Sequence, residues 1–87
     1  MKYLYPVVFE TQKNKTDDEV VYNAKAIDVD GAFVSSSDMR EALYKIKDLL
    51  RDIIKNSPND CKEPSPLKTV KKLYPNAFIM MVEVDVE

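Results

Sequence analysis

The sequence predicts an α+β domain in which a four-stranded mixed sheet packs on one long helix. Three observations predict it. Four stretches alternate or run apolar over strand lengths. One stretch, Asp38 to Lys55, repeats its apolar residues with helical period. The elements follow the order β-β-β-α-(short α)-β. Eighty-seven residues leave room for one core, so positions 1–87 read as a single domain.

Lys2 to Glu10 reads as the first strand, with Tyr3, Tyr5, Val7 and Phe9 on one face and Leu4, Pro6 and Val8 on the other. Both faces are apolar, as in an interior strand. Pro6 lacks a ladder donor, so it is expected near the strand start or at a locally unpaired position. Thr11 to Asp18 is polar and unpatterned, a hairpin loop. Glu19 to Ile27 reads as the second strand. Asp28 to Gly31 is a turn in which Gly31, the only glycine, supplies a positive φ. Ala32 to Ser35 is a short third strand, and the polar run from Ser35 to Ser37 marks it as a sheet edge.

The main helix follows. Met39, Ala42, Leu43, Ile46, Leu49, Leu50, Ile53 and Ile54 form one buried stripe. Asp38 is the expected N-cap, and Glu41 is placed to complete a capping box. Asn56 is expected in the left-handed position that closes the helix, before Pro58. In the proline-bearing connector from Asn56 to Pro66, Ser65 is the expected cap and Pro66 the first position of a short helix. Leu67, Val70, Leu73 and Tyr74 give that helix a narrow stripe. Ala77 to Val86 is the last strand, with Phe78, Met80, Val82, Val84 and Val86 on one face. The first and last strands, apolar on both faces, are expected toward the sheet centre. With the long helix as a crossover, the expected order is 3-2-1-4 with strands 1 and 4 parallel. The sheet face away from the main helix then carries apolar side chains that one short helix does not cover, a hint of self-association or a docked partner.

Composition removes several function classes. The formal net charge is −2, which does not suit a domain holding a nucleic-acid backbone by itself. There is no histidine, so the commonest metal ligand and neutral-pH general base are missing. One cysteine, Cys61, cannot form an internal disulfide and reads as a bystander in a loop. The N-terminal stretch does not read as a signal peptide and no apolar run reaches membrane-spanning length, so the expected compartment is the cytoplasm. A single glycine excludes a glycine-rich phosphate loop. Tyr3, Tyr5, Phe9, Tyr22, Phe33 and Phe78 read as packing residues rather than a base-stacking platform, because the strands carry few cations. Lys62, Lys68, Lys71 and Lys72 read as a solvated basic face.

Five segments resemble the HicB family of antitoxins, whose core is a shortened, partial RNase H-like fold. Tyr5-Pro6-Val7-Val8-Phe9-Glu10 is similar to that family's Y-P-A-x-F-E opening, and Val20-Val21-Tyr22 matches the middle of its second strand. Asp28-Val29-Asp30-Gly31-Ala32-Phe33 is similar to its D-L-P-G-C-x turn, with Asp30 where proline is usual. Asp38-Met39-Arg40-Glu41-Ala42-Leu43 is similar to its T-x-E-E-A-L helix start, and Val82-Glu83-Val84-Asp85 to its closing strand. The segment between Asn56 and Pro75 carries a short helix that many members lack. Many members also continue into a DNA-binding domain, whereas this sequence stops at Glu87, so no direct DNA binding is expected of these residues.

The resemblance implies an antitoxin that binds and occludes a small basic HicA-like, mRNA-cleaving ribonuclease toxin and masks its active histidine. It also implies a homodimer or tetramer formed through the sheet domain. No catalytic residue, metal or cofactor is expected. An alternative is an orphan, self-associating interaction domain without a toxin. A third reading is a metal-dependent RNase H-like nuclease, for which Glu10, Glu41, Glu83 and Asp85 would have to converge. The expected partner contact is the edge around Phe33, Val34, Ser35 and Ser36, because an edge strand offers unpaired backbone groups. Tyr5, Pro6, Phe9, Gly31, Asp38 and Glu41 are expected as structural motif residues.

Overall fold

A computed structural model describes residues 2–13 and 19–86. The elements are β1 (Lys2–Lys13), β2 (Val20–Ala26), β3 (Phe33–Ser36), α1 (Met39–Asn56), a single 3-10 turn at Pro58–Asp60, α2 (Leu67–Leu73) and β4 (Phe78–Asp85). The strand order is β3-β2-β1-β4, as the sequence predicts. β1 extends three residues past Glu10, so Thr11 to Lys13 of the expected hairpin loop are strand; residues 14–18 of it lie outside the described residues.

Every strand pair is antiparallel. This corrects the expectation of a mixed sheet with strands 1 and 4 parallel. The reason is the number of traverses between β3 and β4. α1 carries the chain from the β1–β2 hairpin end of the sheet to the β2–β3 turn end, where Cys61 bridges to Val29. The connector and α2 then carry it back, so that Phe78 enters opposite Phe9 and Asp85 leaves opposite Lys2. Two traverses cancel the inversion that one crossover helix would make. β1 alone is interior with two long neighbours. β4 is an edge strand, not a central one.

The main core lies between the sheet and α1. Tyr5, Val7 and Phe9 of β1, Ala24 and Ala26 of β2, and Val82 and Val84 of β4 meet Ala42, Ile46, Leu50 and Ile54 of α1. These helix positions fall four residues apart, so one stripe faces the sheet. Phe9 and Phe78, opposite one another in register, place ring centroids 6.0 Å apart. On the other face Pro6 and Val8 are also fully buried, as is Val70, the one buried residue of α2. α2 lies against β4. This face is therefore covered in part. Leu4 and Phe33 stay exposed on it, at 49% and 56%.

Pro6 is accommodated as expected. The β1–β2 ladder ends at Val7, so Pro6 has a register partner only in β4, Met81. Gly31 has φ +82°, the left-handed conformation the turn requires. Three details of capping differ from expectation. Asp38 caps α1, its Oδ1 accepting from Arg40 N at 2.8 Å and Glu41 N at 3.4 Å. The reciprocal arm of a capping box is absent from the described hydrogen bonds. Ser36 Oγ accepts the Asp38 N–H instead, at 3.2 Å, and the Glu41 carboxylate pairs with Lys45 at 3.1 Å. Asn56 is the last helical residue rather than a left-handed cap, and Ser57 closes the helix by donating to Ile53 O at 2.7 Å. Pro66, not Ser65, occupies the N-cap of α2, because the Ser65 side chain is engaged elsewhere.

Candidate functional site

β3 is a four-residue outer strand paired on one side with β2. The period of two divides the four expected contact residues into two kinds. Val34 is half-buried against the core, and Ser36 is buried with its Oγ holding the start of α1. Phe33 and Ser35 point to the face away from α1 and are exposed. Ser35 Oγ donates to Asn23 Oδ1 across the β2–β3 pair at 2.6 Å. Phe33 sits opposite Lys25, which is also exposed. The chemistry this edge presents is one large aromatic ring, one lysine and a short polar rim. The exposed carboxylates of Asp30 and Asp38 bracket it in sequence.

The strand is held by a staple that the sequence reading did not anticipate. Asp28, at the start of the β2–β3 turn, is only 8% exposed. A buried carboxylate must be satisfied by donors. Ser65 supplies two: its N–H reaches Asp28 Oδ2 at 2.8 Å and its Oγ donates to Oδ1 at 2.6 Å. Backbone bonds extend the staple, with Lys62 N donating to Asp28 O at 2.8 Å and Asp30 N to Asp60 O at 3.0 Å. Tyr5 adds a third strut from the central strand, its hydroxyl donating to Lys62 O at 3.1 Å. Burial raises the Tyr5 hydroxyl above its ordinary pKa, with smaller contributions from the charges of Cys61, Tyr3 and Asp28. Burial, followed by the neighbouring Asp60 carboxylate, likewise raises the Cys61 thiol. A raised thiol pKa lowers the thiolate fraction at neutral pH, the opposite of what a reactive cysteine needs.

The four acids considered for metal chemistry do not converge. Glu10 lies toward the hairpin end of β1, and Glu41 begins α1 at the same end. Because β4 is antiparallel, Glu83 sits opposite Leu4, six residues along β1 from Glu10 and roughly 20 Å away at strand spacing. Glu83 pairs with Lys2 at 3.5 Å. Among the described residues no group of three or more His, Cys, Asp and Glu side chains is placed to hold a metal ion. No helix among them is long and apolar enough to cross a membrane.

The architecture is that of a known antitoxin domain. The crystal structure of the N-terminal domain of the Burkholderia pseudomallei antitoxin HicB matches this chain with a TM-score of 0.72. The match covers 97% of this chain and 100% of that one, at 17% sequence identity. No protein-family model matches the sequence, and no curated protein matches it. The chain therefore has the fold of the HicB N-terminal domain.

Proposed function

We propose that this domain is a non-catalytic antitoxin module that works in the cytoplasm by binding and occluding a small basic HicA-like ribonuclease toxin. The observation that carries the reading is the shared architecture, end to end, with the N-terminal domain of an antitoxin. The separation of the acidic side chains at opposite ends of the sheet supports binding over catalysis. The proposed contact is the β3 edge. Backbone groups on its free side pair with an incoming segment, Phe33 inserts as the aromatic anchor, and Asp30 and Asp38 suit a basic partner. Val34 and Ser36 act indirectly, by fixing the strand on the core.

Affinity capture of the tagged protein from its native cytoplasm, read by mass spectrometry, tests this. The expected result is a stoichiometric small basic protein whose ribonuclease activity disappears on binding. Phe33→Asp is expected to weaken that complex by at least about tenfold, the effect of losing an interface anchor. Recovery of the bait alone would overturn the antitoxin reading. Undiminished binding of Phe33→Asp would move the contact off β3.

A further inference from the structure

α2 concentrates positive charge on an acidic chain. Three lysines and no acid fall between Pro64 and Val82, so the rest of the chain, with ten cations and fifteen acids, carries −5. Lys68, Lys71 and Lys72 are exposed, and none has an ion-pair partner among the described residues. An open groove is lined by Leu67 and these three lysines. Lys71 also lines a second hollow, of about 330 Å³, with Tyr74, Pro75, Ala77, Phe78 and Ile79. The strands carry few cations, but α2 lies against β4 and brings one beside Phe78, which is 52% exposed.

We propose that the corner between α2 and the start of β4 binds single-stranded nucleic acid. Lys68, Lys71 and Lys72 hold phosphates, and a base lies against Phe78 or Tyr74. Cations alone would suit any anion. The second hollow selects the occupant, because it sets aromatic surface next to a cation and has room for one base. That pairing suits a flexible strand in which bases and phosphates alternate. A duplex keeps its bases stacked on one another and gains nothing from the rings. Glu10 follows Phe9 on β1, opposite the start of β4, and is the acid that bounds the site. At about 0.1 M salt the Debye length is about 10 Å, so most of the acidic remainder of a molecule 42 Å long is screened from this corner.

Fluorescence anisotropy of a labelled oligouridine or oligothymidine of about twelve nucleotides, with the purified chain and no toxin, tests this apart from the antitoxin reading. The expected dissociation constant is near 100 μM, the weak end of non-specific binding. The expected slope of log K against log salt is about −2, for three phosphate contacts on a single strand. Lys71→Gln and Lys72→Gln should each weaken binding and reduce that slope by about 0.7. Phe78→Ala should weaken binding about fivefold or more with the slope unchanged. Phe78 packs on Phe9, so Phe78→Leu serves where the alanine variant does not fold: it keeps the apolar contact and removes the ring. Glu10→Gln should tighten binding, and Lys45→Gln, on α1, should leave it unchanged. No binding at about 1 mM protein would overturn the proposal. So would binding unmoved by the lysine variants, or equal affinity for a duplex. Equal affinity for a polyglutamate of the same charge would overturn it in favour of an acidic protein segment.

Discussion

At the scale of single residues, Asp28 does more than its place in a turn suggests. It is a carboxylate taken out of water and held by two donors from Ser65. Asp28→Ala is expected to cost about 2–3 kcal/mol in urea denaturation, the range for hydrogen bonds to a charged group, and Ser65→Ala about 1 kcal/mol. Tyr5→Phe removes one hydroxyl bond to Lys62 O and is expected to cost about 1 kcal/mol near neutral pH. That difference depends on pH. The folded state raises the Tyr5 pKa above 10.0, so it holds the proton more tightly than the unfolded chain does. The stabilisation is complete below the unfolded value and is lost as pH rises through the folded one. Wild type and Tyr5→Phe should therefore converge in denaturation midpoint as the pH is taken above 10; a constant gap would assign the hydroxyl bond no such role. The sequence marks Asp28 as a turn former and Tyr5 as a core aromatic. Their polar partners lie 37 and 57 positions away, and local patterns carry no information about such pairings.

At the scale of elements, α1 and α2 show when a periodic stripe can be trusted. α1 is 18 residues long, about five turns, and every fourth residue from Ala42 to Ile54 is buried. Leu50→Ala is expected to lower stability by about 2–5 kcal/mol, and Asp38→Ala by about 1 kcal/mol, both by chemical denaturation. α2 offers a similar stripe on paper, but it is under two turns long and rests on Val70 alone. Leu73 is 64% exposed, so Leu73→Lys should change stability by less than about 0.5 kcal/mol. A short helix touches its sheet at one point, and periodicity cannot say which of its apolar residues makes the touch. The same limit applies to the proposed contact edge. Its position was legible from strand length and serine content. Which side chains face out depended on the register with β2, which sets Val34 opposite buried Ala24 and Phe33 opposite exposed Lys25.

At the scale of the whole molecule, the sequence showed the strand order and not the strand directions. Reading the connector as a loop with a minor helix counts one traverse where the chain makes two, and each traverse reverses the strand that follows. The Val29–Cys61 bridge and the Asp28–Ser65 pair hold the turning point between them. Amide exchange should therefore be slow at Lys62 and Ser65, whose N–H groups donate to Asp28, and fast at Glu63 between them; uniform fast exchange from 57 to 66 would mean that the turning point is not held. The central place of β1 has a further consequence for how the chain is made. Its two sides are completed by strands of very different age during translation: β2 follows within a hairpin, but β4 is the last to emerge. Some 42 residues separate Ser36 from Phe78, roughly 2–8 s of synthesis at about 5–20 residues per second. Throughout that interval the Tyr3–Phe9 segment presents one bare side to neighbouring nascent chains on the same message. Codon choices that slow the ribosome between these two strands are therefore expected to lengthen the exposure and lower the yield of native domain, measured as soluble protein from synonymous genes.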